Sequence, residues 1–122
     1  MTHSPAVLVV EDEVLIRMNV VDILEDLGFR CLEAANADQA LELIETREDI
    51  GVLFTDIDMP GGIDGLQLAQ AAASREPPIA VIVTSGHART RTDGMPQGGI
   101  YIEKPYSRTD LASAVERLLG GD

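Results

Sequence analysis

Tryptophan is absent from this sequence, and two tyrosines and two phenylalanines are the only aromatics in 122 residues. With 45% hydrophobic content and 3% aromatics, the core has to be aliphatic, built from Val, Ile, Leu and Ala. Cysteine occurs once, so no intramolecular disulfide can form. Cys31, flanked by Phe29 and Leu32, fits a small buried hydrophobe. No run approaches the ~18 apolar residues of a membrane span. The opening Met1-Thr2-His3-Ser4-Pro5 lacks the apolar stretch of a signal peptide, so a soluble, cytoplasmic protein is expected, disordered over about residues 1–5. Positive charge is scarce too: 9 Lys and Arg stand against 21 Asp and Glu, a net charge of −12. Without a basic stripe to neutralise phosphates, nucleic acid and anionic membrane surfaces are excluded as direct partners. Lysine occurs only at Lys104, which makes its placement informative.

Repeats and low-complexity tracts are lacking as well, and the length suits one domain over residues 1–122. What is present is an alternation of short apolar runs with helical patterns. Ala6–Val10 has the continuous apolar character of a strand buried on both faces. From Val14 to Leu27, Ile16, Val20, Ile23 and Leu27 mark a helical face that Gly28 ends. A second strand, less apolar and at an edge, is expected over Phe29–Ala34. Asn36 with Gln39 resembles a capping box opening a helix that carries Ala40, Leu43 and Ile44. Further strands are expected over Gly51–Thr55, Ile79–Val83 and Gly99–Ile102. An Ala-rich helix from about Gly65 to Ser74 precedes the Pro77-Pro78 pair, and Ser107 with Asp110 caps a last helix whose face is Leu111, Val115 and Leu118.

Strands alternating with helices imply an α/β fold with a doubly wound, five-stranded parallel sheet. The flavodoxin-like order 2-1-3-4-5 puts its ligand site where strands 1 and 3 diverge, at their carboxyl ends. The residues there are Glu11-Asp12-Glu13 and Asp56-Ile57-Asp58. Several carboxylates meeting in one crevice raise one another's pKa unless a cation joins them. Mg2+ suits that arrangement, because it uses few carboxylates and keeps positions for water or phosphate. The fourth and fifth strands lead to Thr84 and Lys104, so four strand ends carry groups that phosphoryl chemistry requires.

Leu8-Val9-Val10-Glu11-Asp12-Glu13, Asp56-Ile57-Asp58-Met59-Pro60 with Asp64-Gly65-Leu66, Val83-Thr84-Ser85-Gly86, and Ile102-Glu103-Lys104-Pro105-Tyr106 together resemble the ordered signature segments of bacterial two-component receiver domains, the CheY-like response regulators. The resemblance covers essentially the whole chain. It implies that Asp56 is the nucleophile phosphorylated by a sensor histidine kinase or phosphotransfer protein. Glu11, Asp12 and Asp56 would hold Mg2+ with the backbone carbonyl of Asp58, Thr84 would hydrogen-bond one phosphoryl oxygen, and Lys104 would pair with another. Tyr101 matches the switch aromatic coupled to Thr84, and the Lys104–Pro105 bond would be cis. The chain would then be no enzyme in the usual sense, but a switch that promotes its own phosphotransfer and autodephosphorylation. Its lifetime in the phosphorylated state would depend partly on Asp58 and Gly86.

Two features depart from the family pattern. Gly61-Gly62 adds one residue to the loop after Pro60. The stretch from Gly86 to Gly99 has only Ala88 and Met95 as apolar residues, so no amphipathic stripe can be drawn and a short, irregular or mobile fourth helix is predicted. His87 either overhangs the site or is a solvated loop residue. Tyr106 either packs beside the last helix or contributes to a partner surface.

A haloacid-dehalogenase-type phosphatase would use Asp56-Ile57-Asp58 with similar companions, but its nucleophile strand comes first and its acidic pair last, the reverse of the order here. A flavin carrier would need a hydroxyl- and Gly-rich phosphate loop where Glu11-Asp12-Glu13 stands. A degenerate receiver acting as a phosphorylation-independent interaction module has every key position filled against it. With no effector segment after Asp122 in the sequence, the expected output is through a downstream protein target, from a monomer or weak homodimer.

Overall fold

The Val-rich run near the start of the chain forms the centre of the sheet. In the computed structural model, which describes residues 5–58, 64–86 and 95–120, β1 (Ala6–Val10) is buried at all five positions. It is followed by α1 (Val14–Asp26), β2 (Arg30–Ala34), α2 (Ala37–Thr46), β3 (Ile50–Asp56), α3 (Gly65–Ala73), β4 (Ala80–Ser85), β5 (Ile100–Glu103) and α4 (Arg108–Val115), which continues into a π-helical turn over Glu116–Gly120. The strands are all parallel in the order β2-β1-β3-β4-β5. This is the doubly wound flavodoxin-like arrangement expected from the sequence.

Side-chain alternation along each strand splits the core into two layers. Val7 and Val9 of β1 join Val52, Phe54 and Ile82 beneath Val20 and Leu24 of α1 and Leu111 and Val115 of α4. Leu8 and Val10 point the other way, joining Leu53, Val81 and Val83 against Ala40 and Ile44 of α2 and Leu68, Ala69 and Ala72 of α3. Each fully buried Val, Leu or Ile contributes about 1.5–3 kcal/mol, so these two layers can supply what aromatic residues would otherwise provide. β2 lies at an edge, with Arg30 and Glu33 exposed.

Three strands run further than the sequence suggested. β3 includes Asp56, β4 includes Thr84 and Ser85, and β5 includes Glu103. These polar residues stay in the ladder because they are register partners: Asp56 with Thr84, Ser85 with Glu103. Asp56 and Thr84 therefore sit on the last rungs of the sheet, while Glu11, Asp12, Asp58 and Lys104 lie in the segments just beyond it.

The helix ends follow from local chemistry. Gly28, at φ +97°, ends α1 with its N–H on Glu25 O (3.0 Å) and the Phe29 N–H on Leu24 O (3.0 Å), a Schellman pattern that needs glycine. At α2 the Asn36 side chain accepts from Gln39 N–H (2.8 Å), but the Gln39 side chain reaches back to Ala35 N–H (2.8 Å), so the expected box is displaced by one residue. Reciprocal boxes form at Asp64 with Gln67 and at Ser107 with Asp110.

The predicted fourth helix falls mainly on residues 87–94, which with His87 and the Gly61-Gly62 turn lie outside the described residues. Expected disorder over about residues 1–5 also lies outside them, apart from Pro5. Over 95–99 the chain turns, with Gly99 N–H on Pro96 O (3.0 Å). No helix among the described residues is long and apolar enough to cross a membrane.

Candidate functional site

A parallel sheet brings the carboxyl ends of β1, β3, β4 and β5 to one edge, and the candidate residues gather there. Glu11 extends β1, its N–H donating to Ala34 O (3.1 Å) on β2. Its side chain is buried; Oε2 accepts from Glu13 N–H (3.2 Å) and Oε1 lies 3.6 Å from Lys104 Nζ. Burial raises its pKa above the ordinary carboxylate value, helped by the Asp56 charge and opposed by the Glu13 N–H and Lys104. Asp12 is exposed at the rim.

Asp56 closes β3 with 6% exposure. Its Oδ1 accepts from Asp58 N–H (3.1 Å) and its Oδ2 accepts from Lys104 Nζ (2.8 Å). Ile57 N–H donates to Thr84 O (2.9 Å), so the chain just beyond Asp56 is still tied to β4. Gly65, the first residue of α3, donates its N–H to Ile57 O (3.0 Å) and packs against the Asp56 carbonyl so closely that a Cβ would overlap it.

Lys104 is placed by its backbone, whose N–H donates to Ser85 O (2.8 Å) at the end of β4. From there its ammonium bridges Asp56 and Glu11. Burial works against the Lys104 charge, but the Asp56 hydrogen bond and the charges of Asp56 and Glu11 outweigh it and raise the lysine pKa. The resemblance implies that this lysine pairs with a phosphoryl oxygen; here Lys104 Nζ donates to the Asp56 carboxylate. The Lys104–Pro105 peptide is cis.

Thr84 is fully buried, and its Oγ1 has no hydrogen-bond partner among the described residues. Tyr101 is half-buried against the layer beneath α2 and α3. Tyr106 packs edge-to-face on Phe54 with ring centroids 5.9 Å apart, and burial pushes its phenol pKa up, with Lys104 opposing. Asp58 is exposed, with Oδ2 accepting from Ser85 Oγ (3.2 Å). Sequence reasoning passed over Ser85 and Arg17. Ser85 was visible only as the neighbour of Thr84, and Arg17 only as a helical position six residues beyond Glu11.

Every donor that could face a cation here is a hard oxygen: the carboxylates of Glu11, Asp12 and Asp56 and the backbone of Asp58. Among the described residues no group of three or more His, Cys, Asp or Glu is set as a ready cage. Mg2+ does not need one, since it is commonly held by one or two carboxylates with water and phosphate completing the octahedron. A desolvated Glu11 beside Asp56, sharing one lysine, fits that donor chemistry.

The family description "Response regulator receiver domain" matches residues 7–116. The positive alginate biosynthesis regulatory protein of Pseudomonas aeruginosa is 39% identical over 115 residues, covering 91% of this chain and 46% of that protein. The chain spans roughly a quarter to a half of the curated relatives it matches. Among solved structures, a response regulator receiver protein from Sinorhizobium medicae superposes with a TM-score of 0.90 at 27% identity, covering 97% of this chain and 96% of that one. TrrA of Thermotoga maritima, solved in complex with Mg2+-BeF, superposes with a TM-score of 0.82 at 25% identity, over 94% and 99% of the two chains.

Proposed function

The chain belongs to the response regulator receiver domain family of two-component signalling, and we propose that Asp56 accepts a phosphoryl group from a sensor histidine kinase or phosphotransfer protein and thereby switches the domain's contacts with a protein target. The observation that carries this reading is the position of Lys104 Nζ, 2.8 Å from Asp56 Oδ2 and 3.6 Å from Glu11 Oε1.

In the transfer, an Asp56 carboxylate oxygen attacks phosphorus. The P–N bond to the donor imidazole breaks, the electron pair leaves with the nitrogen, which takes a proton, and an acyl phosphate remains on Asp56. Nucleophile and phosphoryl group are both anionic, so acceleration comes from positioning and neutralisation. Asp56 is aimed by the Asp58 N–H and by the β3–β4 ladder. Lys104 supplies a flexible point charge that can pass from the carboxylate to a phosphoryl oxygen. Thr84 Oγ1 offers a buried donor with no competing partner among the described residues. Mg2+, held by Glu11, Asp12, Asp56 and the Asp58 carbonyl, would supply further positive charge against the phosphoryl oxygens. Tyr101 would follow Thr84 as the switch aromatic. The chain thus acts as a phosphoacceptor that promotes only its own phosphorylation and autodephosphorylation, in the cytoplasm, as a monomer or weak homodimer.

The test is radiolabel transfer from a panel of phosphorylated histidine kinases to wild type and to Asp56→Asn. Label is expected on the wild type alone. Label on Asp56→Asn at the wild-type rate overturns the assignment.

A further inference from the structure

Arg17 of α1 is gripped at two points. Its Nη1 donates to the backbone carbonyl of Glu11 (2.7 Å), and its Nε donates to Glu33 Oε1 on β2 (3.1 Å). The side chain is 15% exposed. We propose that Arg17 is a positioning residue for the Glu11–Asp12 turn, holding it in the orientation that binds the divalent cation, with Glu33 aiming the guanidinium. The inference rests on the reading above that Glu11 and Asp12 serve as cation ligands.

Glu11 has a partner at every polar group. Its N–H is held by β2, Oε2 by the Glu13 N–H, Oε1 faces Lys104, and its carbonyl accepts from Arg17. That carbonyl belongs to the peptide leading to Asp12, so its plane sets the direction in which the Asp12 side chain leaves the backbone. Glu13, the N-cap of α1, makes no side-chain capping hydrogen bond.

The choice of acceptor matters. A cation bonded to the carboxylates would compete with a metal, as an intramolecular counter-ion. Arg17 bonds the carbonyl instead, so it places positive charge behind three consecutive acidic residues without adding to the contacts that the Glu11 carboxylate already makes with the Glu13 N–H and Lys104. Arginine suits the position because its planar fork presents Nε and Nη1 in fixed geometry. A lysine could carry the charge but not span both acceptors with that geometry.

The experiment is a Mg2+ titration of the full chain, followed by backbone amide NMR shifts, with urea unfolding of each variant alongside. Groups that orient metal ligands from behind typically alter metal affinity about 10–100-fold. Arg17→Ala is expected to weaken Mg2+ binding within that range, Arg17→Lys to rescue it only in part, and Glu33→Gln to weaken it by a smaller factor. Arg108→Ala, which removes an exposed ion pair with Asp26 further along α1, is expected to leave it unchanged. Should Arg17→Ala not fold, Arg17→Lys and Glu33→Gln carry the test.

A purely structural arginine would lower the urea midpoint while Mg2+ affinity stayed at the wild-type value in all three variants, and that result overturns the proposal. Asp12→Asn separates the two readings. If it abolishes binding while the Arg17 and Glu33 variants bind normally, the ligand assignment stands and the positioning role falls. If Asp12→Asn binds as tightly as wild type, the ligand assignment itself is wrong, and the positioning role goes with it.

Discussion

Asp56 and Thr84 are register partners on the last rung shared by β3 and β4, yet their side chains are in opposite states. The Asp56 carboxylate accepts from the Asp58 N–H and from Lys104 Nζ, whereas Thr84 Oγ1 is buried and unpaired among the described residues. A buried hydroxyl without a partner costs about 1–3 kcal/mol, a cost that among the described residues falls beside the Asp56 carboxylate. An acyl phosphate on Asp56 would bring acceptor oxygens to the same rung and relieve it. The free energy released by pairing Thr84 is then available to bias a conformational equilibrium, which is what a switch requires.

Thr84→Val tests this directly, because it removes the hydroxyl at nearly constant volume. The unphosphorylated variant is expected to be as stable as wild type or up to about 1 kcal/mol more stable, since no paired hydrogen bond is lost. The stabilisation gained from Mg2+ with beryllofluoride, a phosphoryl mimic, is expected to shrink. Urea unfolding with and without the mimic measures both. A variant about 1 kcal/mol less stable than wild type in the absence of the mimic would show that the hydroxyl is already satisfied.

The dependence of stability on pH should carry two contributions of opposite sign. Burial raises the folded-state pKa of Glu11 above its ordinary 4.5, so its ionisation opposes folding at neutral pH, and the opposition fades as pH falls from the folded value towards 4.5. Glu11→Gln is therefore expected to be more stable than wild type at pH 7, by a margin that disappears in acid. The Arg47 hydrogen bond holds Asp49 well below its ordinary 3.8, with Arg30 adding to it. That contribution is present above 3.8 and is lost as pH falls below it. Asp49→Asn is expected to be less stable than wild type at pH 7, to converge with it in strong acid, and to show the smaller difference in high salt because the arginines are exposed. Chemical denaturation of the three proteins between pH 3 and 8 checks the signs; a destabilised Glu11→Gln at pH 7 would contradict the first.

How far the sequence revealed this molecule follows from which residues act through local pattern. Val7 to Val10 announced a doubly buried strand because a central parallel strand has no solvent face, and Gly28 announced a helix stop because its φ is positive. Asp56, Thr84 and Lys104 could be assigned to one site because parallel topology sends all their strands to the same edge. The polar ends of β3 and β4 looked like loop because composition does not show that Asp56 and Thr84 remain paired in the ladder. Arg17 and Ser85 were missed for a related reason. Arg17 acts across six residues and onto a second strand, and Ser85 onto Asp58 across 27 positions, spacings that no helix or strand period singles out. The Asp64–Gln67 box is a local signal, with Gln67 three residues after the N-cap.

Gly65→Ala should separate site geometry from stability. A Cβ on Gly65 would overlap the Asp56 carbonyl oxygen and lie 2.8 Å from Ile57 Cα, and the obstructing atoms are backbone, not the movable tip of a side chain. Overpacking of this kind costs about 1–3 kcal/mol or more. Because the displaced atoms include those of Asp56, phosphotransfer per folded molecule is expected to fall as well. Ala71→Gly, on the exposed side of the same helix, provides the comparison: glycine there costs about 1 kcal/mol through helix propensity alone and leaves Asp56 untouched. Urea midpoints and phosphotransfer rates, each corrected for folded fraction, are measured on both. Gly65→Ala is expected to lose rate at a stability where Ala71→Gly keeps it. Equal corrected rates would mean that the approach of α3 to Asp56 sets stability alone, with no part in aiming the nucleophile.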